Sequence, residues 1–286
     1  METLMIFEKI KITFIGPGVM AEAMISGLIK KDLISAKNII ASGPYEQEVN
    51  NLKEKYHIQP YSDNAKAAGL ADIVILSIKP QRLQKVLEGM RGSIKPDALV
   101  LSIVAGATIK KIASYLDHDH IVRSMPNTPA QIGEGITVWT CSDTVSDQQQ
   151  EFARSILSAF GQEIFVDEEE YLDKATALSG TGPAYVYLFM EAMVDAGVHL
   201  GFPRRIAERL VIETLRGSVD YYDNGSEDSR HLARLRNQVT SPGGTSAEAL
   251  YYLEKAGFRT AISRAVWAAY QRSKELGQDA ESRPPE

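Results

Sequence analysis

Apolar residues follow two rhythms along this chain. Up to about residue 166, short apolar runs alternate with stretches whose apolar positions recur at helical spacing. The first run, 11–15, leads through Gly16-Pro17-Gly18 into a helical pattern over 20–29. The same alternation predicts strands at 38–41, 73–78, 99–104, 121–124 and 135–140, and helices at 45–56, 81–89 and 109–116. Strands alternating with helices predict an α/β fold, a parallel sheet covered by helices. Beyond Val166 no strand pattern persists, and 168–197, 204–222, 229–238 and 246–276 all read as helices. The boundary between an α/β domain (1–167) and an all-helical one (168–286) is set in the acidic stretch 167–170, and the polar tail 277–286 is expected to fray.

Composition narrows the partners. A length of 286 residues with 44% hydrophobic content suits two domains with real cores. The net charge of -6 argues against nucleic acid, whose binding depends on neutralising phosphates, and favours a small-molecule substrate. Cys141 is the only cysteine, so neither an internal disulfide nor a multi-cysteine zinc site can form, and a cytoplasmic setting is expected. No apolar run reaches the roughly 20 residues needed to cross a bilayer. Residues 1–11 carry Glu2, Glu8 and Lys9 and lack the pattern of an export signal, so they are expected to extend into the first strand.

Gly16-Pro17-Gly18-Val19-Met20-Ala21 fits G-x-G-x-x-A directly between a strand and a helix. In that setting the first glycine turns the chain, the second lets backbone approach a pyrophosphate, and the small third residue permits close packing. The helix N-terminus offers unpaired N–H groups to the phosphates. Where a strongly NAD-selective site places an acidic residue, this chain has Ala41-Ser42-Gly43-Pro44, with no arginine for a 2'-phosphate either. These residues leave the preference between the two cofactors open, and the expectation is NADPH with NADH possible.

Three further segments are rich in Gly, Pro and small polar residues: 125–129 (MPNTP), 178–185 (LSGTGPAY) and 239–245 (VTSPGGT). With Ile78-Lys79-Pro80-Gln81 and the first glycine turn, their order and spacing resemble those of the pyrroline-5-carboxylate reductase family over about 11–276. The resemblance implies a Rossmann-type domain followed by a helical dimerisation domain, and a homodimer or larger homo-oligomer. The expected reaction is reduction of the cyclic imine 1-pyrroline-5-carboxylate to L-proline, the last step of proline biosynthesis. It also implies that Gly16, Gly18, Val19 and Met20 hold the pyrophosphate, that Ser42 and Gly43 meet the adenosine ribose or its phosphate, and that Asn64 lies on the adenine side. Ile78, Lys79 and Ala105 would line the nicotinamide half. Gly243, Gly244 and Thr245 would bind the substrate carboxylate, with the hydroxyl of Ser246 at the ring nitrogen as the catalytic contact. Many relatives carry Thr at the place of Ser246, an apolar branched residue at Ala247 and a neutral or basic one at Glu248.

The last loop also has a reading of its own: Thr245-x-x-Glu248 matches a capping box opening a helix at Ser246. Two other functions stay open at this level, a non-catalytic or altered-specificity paralogue that binds NAD(P), and a hydroxy-acid dehydrogenase for which Lys174 would be the base. His118-Asp119-His120 is expected to be solvated surface and not a metal site, and Tyr185 and Tyr187 to pack in a core or interface.

Overall fold

The computed structural model describes residues 7–226 and 230–279. Contacts divide the chain into two compact units, one holding the residues up to Pro183 together with those from Ala268 onward, the other Ala184–Trp267. The break points fall inside two long helices, α8 (Gly182–His199) and α12 (Phe258–Asp279).

The first unit is built on an eight-stranded sheet in the order β3-β2-β1-β4-β5-β6-β7-β8. Its central strands are β1 (Ile12–Ile15), β2 (Ile39–Ser42), β4 (Ile73–Leu76) and β5 (Leu99–Ser102), each buried at every position. Sequences such as Ile-Val-Ile-Leu suit this place because a parallel strand covered on both faces has no wet side. The two-residue repeat sorts the side chains: Ile73, Ile75, Leu99 and Leu101 join one core, and Val74, Leu76 and Val100 join the core on the opposite face.

Helices cover these faces. α1 (Val19–Lys30) contributes Ala21, Met24, Ile25 and Leu28 to the first core; α5 (Ile109–Leu116) contributes Ile112 and Leu116 to the second. Thr108 caps α5 by accepting the Lys111 N–H. α2 (Glu46–Tyr56) and α4 (Leu83–Glu88) occupy the expected places.

Several elements lie outside the apolar pattern. β3 (Gln59–Tyr61) and β8 (Gly161–Phe165) form the sheet edges, α3 (Asn64–Leu70) is capped by the Asp63 carboxylate, and α6 (Asp147–Ser158) opens with a capping box between Ser146 and Gln149. One strand pair corrects the expected parallel sheet: β6 (Ile121–Met125) and β7 (Gly135–Cys141) run antiparallel. Their link holds only a short 3-10 turn, Thr128–Ile132, and a parallel crossover needs roughly a dozen residues or more.

The expected helix over 168–197 is interrupted. α7 (Glu170–Ala175) passes into a π-turn, Thr176–Gly180, before α8 begins. The segment belongs to the sheet unit because Arg123 of β6, only 3% exposed, bonds both Glu169 and Asp173 at 2.9 Å. Glu169 also accepts the Ile109 N–H, and Asp173 accepts the Ser273 hydroxyl. The end of α12 returns to the same unit, where Lys111 Nζ donates to the Gly277 carbonyl at 2.8 Å. Residues 277–279, expected to fray, are therefore helical; the rest of that tail lies outside the described residues.

The second unit holds most of α8, α9 (Arg204–Asp223), α10 (Leu232–Gln238), α11 (Thr245–Lys255) and the start of α12. The helix expected over 246–276 is two helices, because Gly257 takes φ +76° between them. The helix expected from 229 starts at Leu232, and residue 229 itself lies outside the described residues. The buried core of this unit is small, Val194, Ala207 and Val211, while Leu188, Leu200, Ile206, Leu210 and Trp267 stand exposed.

Candidate active site

The glycine turn after β1 has the geometry a dinucleotide needs. Gly16 adopts φ +98°, and a Cβ there would lie 2.8 Å from the Ser77 carbonyl oxygen, so only glycine fits. Ser77, at the end of β4, fixes the turn: its hydroxyl donates to the Gly16 carbonyl at 2.7 Å and to the Ile15 carbonyl at 3.1 Å. Ser77 carries no signal in the sequence, because it falls inside the strand expected over 73–78, whereas β4 ends at Leu76.

Gly18 is the N-cap of α1 and carries no capping side chain; a Cβ there would meet nothing within 4 Å. Backbone N–H groups of Val19, Met20 and Ala21 find no acceptor among the described residues. Open space over unpaired donors at the positive end of a helix is a cradle for phosphate.

Around this cradle the structure gathers the other expected cofactor residues. Ser42 is fully buried and donates its hydroxyl to Asn64 Oδ1 at 2.7 Å, so the serine orients Asn64 at the head of α3. Gly43 packs on Pro17, with a hypothetical Cβ 2.5 Å from the proline Cδ. Ile78 lies against Gly16, and Lys79 is exposed just before a 3-10 turn, Pro80–Arg82. Ala105 is half-buried on the turn after β5, whose Gly106 takes φ +72° and would clash with Gly277 if it bore a Cβ.

The two proline-and-glycine motifs of this unit are joined. Asn127 is buried, donates from Nδ2 to the Ser179 carbonyl at 3.2 Å and accepts the Ile136 N–H at 3.0 Å. The MPNTP segment thereby grips the π-turn, and Gly180 packs against the end of the Met125 side chain, whose Cε would lie 2.8 Å from a Cβ there. Such π-turns often mark functional positions.

In the helical unit, the Ser241–Ser246 loop leads into α11. The expected capping box is absent: Gly244 is the N-cap, no side chain caps the helix, and Thr245 is already its first residue. Glu248 therefore stands one position too deep to fold back on the cap, and it is exposed. Gly243 takes φ +71°, and Gly244 sits against Ser241, whose Oγ would lie 2.5 Å from a Cβ. The half-buried Ser246 makes no hydrogen bond among the described residues, which leaves its hydroxyl for a ligand.

Other candidates fall away from chemistry. His118 is buried and not solvated: its Nε2 meets the Ala98 carbonyl at 2.7 Å, while His120 Nδ1 meets the Thr144 carbonyl at 2.9 Å. Among the described residues no cluster of three metal-ligating side chains occurs. Lys174 pairs with Glu170 at 3.5 Å and lies over the Tyr171 ring, both on the exposed face of α7, where its amine is already engaged by a carboxylate and a ring. Tyr187 is exposed on α8.

A doubly wound sheet with an open glycine turn, followed by a helical unit with an unpaired hydroxyl at a helix start, defines a dinucleotide-dependent oxidoreductase. The family model described as pyrroline-5-carboxylate reductase dimerisation matches residues 169–276, and that for NADP oxidoreductase, coenzyme F420-dependent, matches 11–106. The chain is 39% identical to the pyrroline-5-carboxylate reductase of a Synechocystis species, over 94% of this chain and 99% of that one. It is 37% identical to the Pseudomonas aeruginosa enzyme, over 94% and 97%. The crystal structure of Plasmodium falciparum pyrroline carboxylate reductase with NADP bound superposes with a TM-score of 0.86, at 32% identity, over 95% of this chain and 99% of that one. The chain belongs to the pyrroline-5-carboxylate reductase family.

Proposed function

We propose that the chain is the NADPH-dependent enzyme that reduces 1-pyrroline-5-carboxylate to L-proline, the closing step of proline biosynthesis. The carrying observation is likeness to pyrroline-5-carboxylate reductases along nearly the whole of both chains, with the glycine cradle of that chemistry intact. Reduction adds a hydride to the ring carbon of the C=N bond and a proton to the nitrogen. NADPH supplies the hydride and leaves as NADP+. No covalent nucleophile is called for, so positioning carries the catalysis.

The residues divide the work. Gly16 and Gly18 shape the turn, with the Gly18 N–H bonded to the Gly16 carbonyl at 2.9 Å, and the N–H groups of Val19 and Met20 hold the pyrophosphate; Ser42 acts through Asn64 on the adenosine side, and Ile78, Lys79 and Ala105 border the nicotinamide. Gly243, Gly244 and Thr245 present the start of α11 to the substrate carboxylate, where unpaired N–H groups favour an anion. Ser246 hydrogen-bonds the ring nitrogen and orients the imine.

A homodimer or larger homo-oligomer is supported by the dimerisation match and by the apolar side chains that the helical unit leaves uncovered. A functional division at residue 167/168 is supported by the start of that match at residue 169. No described helix is long and apolar enough to cross a membrane, and the lone Cys141 supports a cytoplasmic setting.

The test is loss of nicotinamide absorbance by purified protein with NADPH or NADH, with and without pyrroline-5-carboxylate. Substrate-dependent oxidation with proline as product is the expected result. Tight cofactor binding without turnover would point to the non-catalytic paralogue.

A further inference from the structure

NADPH differs from NADH only by the 2'-phosphate, which in a Rossmann crevice lies just past the end of the second strand. There this chain has Ser42-Gly43-Pro44, with no cation. The structure shows why position 43 cannot supply one: a Cβ on Gly43 would lie 2.5 Å from Pro17 Cδ. Pro17 and Gly43 fit each other, and any recognition of the phosphate must come from another part of the chain.

The strand order provides it. β2 and β4 flank β1, so the segments that follow them face each other across the glycine turn. From the β4 side Arg82 reaches over and donates from a terminal guanidinium nitrogen to Tyr45 Oη at 3.5 Å; Tyr45 stands immediately before α2. Arg82 is exposed and pairs with no carboxylate among the described residues, whereas the other described arginines of the sheet unit, Arg91, Arg123, Arg154 and Arg272, all do. An uncompensated guanidinium held at this mouth by a neutral hydroxyl keeps its remaining donors for a phosphate, the anion its fork geometry suits. Glu46 and Glu48 in the first turn of α2 are the nearest acids in sequence to Tyr45, so without Arg82 a dianion would meet an unfavourable local balance.

We propose that Arg82, steered by Tyr45, binds the 2'-phosphate and gives this chain its preference for NADPH over NADH. The inference rests on NADPH being the cofactor. Calorimetric titration of the full chain, wild type, R82A and Y45F, with NADPH, NADH, adenosine 2',5'-bisphosphate and 5'-AMP tests it. R82A is expected to weaken NADPH and the bisphosphate by about tenfold or more, with NADH and 5'-AMP nearly unchanged. Y45F is expected to shift affinity in the same sense by less, because the guanidinium remains but is no longer steered. Equal losses for phosphorylated and unphosphorylated ligands in R82A, or no loss for either, overturns the assignment. Wild-type protein that binds NADH but not NADPH overturns the cofactor reading itself, and this assignment with it.

Discussion

Ser246 is the second residue of α11, where a hydroxyl is half-sheltered yet unengaged. In the proposed function, alanine here removes one hydrogen bond to the reacting nitrogen; among the described residues it removes none that the fold uses. Ser246→Ala should lower kcat by about tenfold to a hundredfold with an unchanged circular-dichroism spectrum and urea midpoint; unaltered kcat would remove the hydroxyl from the mechanism. His118 makes a different prediction. Burial holds its imidazole below the usual histidine range; the bond to the Ala98 carbonyl opposes that shift and the neighbouring His120 adds to it. The unfolded chain takes up the proton near about pH 6.5, before the folded one does. The contribution of neutral His118 is therefore complete above that pH and is lost as pH falls through the lower folded value. Urea midpoints should fall between about pH 7.5 and 5.5, and His118→Gln should flatten the drop; equal slopes in both proteins would assign the acid sensitivity elsewhere. Sequence alone showed the pair of histidines but not their surroundings, because a carbonyl from Ala98 twenty residues away cannot be seen in a local pattern.

At the scale of elements, the strands that could be read were those buried on both faces, where apolar residues run unbroken. The edges carry no such signal: β3 is Gln-Pro-Tyr and β8 includes Gln162 and Glu163. α6 begins with five polar residues, so its apolar face was faint, although Ser146-x-x-Gln149 marked its start. The glycine turn was legible because its requirement is local. Ser77, Tyr45 and Arg82 were not, since each acts across the sheet on a partner brought near only by strand order. The same limit hid the ion network that ties α7 to β6. Arg123 is almost wholly enclosed and its partners Asp173 and Glu169 are 16% and 32% exposed, so truncating it leaves two partly sheltered carboxylates without their cation. Arg123→Ala should cost about 3–5 kcal/mol of unfolding free energy in urea titration. A loss under about 1 kcal/mol would mean that water reaches the carboxylates and replaces the guanidinium.

Taken whole, the chain leaves its helical unit with too little interior for its size. Three buried side chains, Val194, Ala207 and Val211, stand against a much larger apolar exterior that includes Leu188 and Leu210. Charge placed on that exterior should act on assembly more than on the sheet unit. Leu210→Glu is expected to shift the protein toward monomer in light scattering and to make its thermal midpoint independent of concentration, where that of the wild type rises with concentration. A variant with unchanged mass would place the interface on another face. The discontinuous make-up of the sheet unit has a further consequence, which concerns synthesis. The ribosome delivers all of Ala184–Trp267 before the final stretch of α12 that carries Ser273 and Gly277. Until that stretch emerges, Asp173 lacks the hydroxyl of Ser273 and Lys111 lacks its carbonyl. The nucleotide-binding unit, though begun first, is thus the last to be completed, and a nascent chain released early would carry its glycine cradle on an unfinished scaffold.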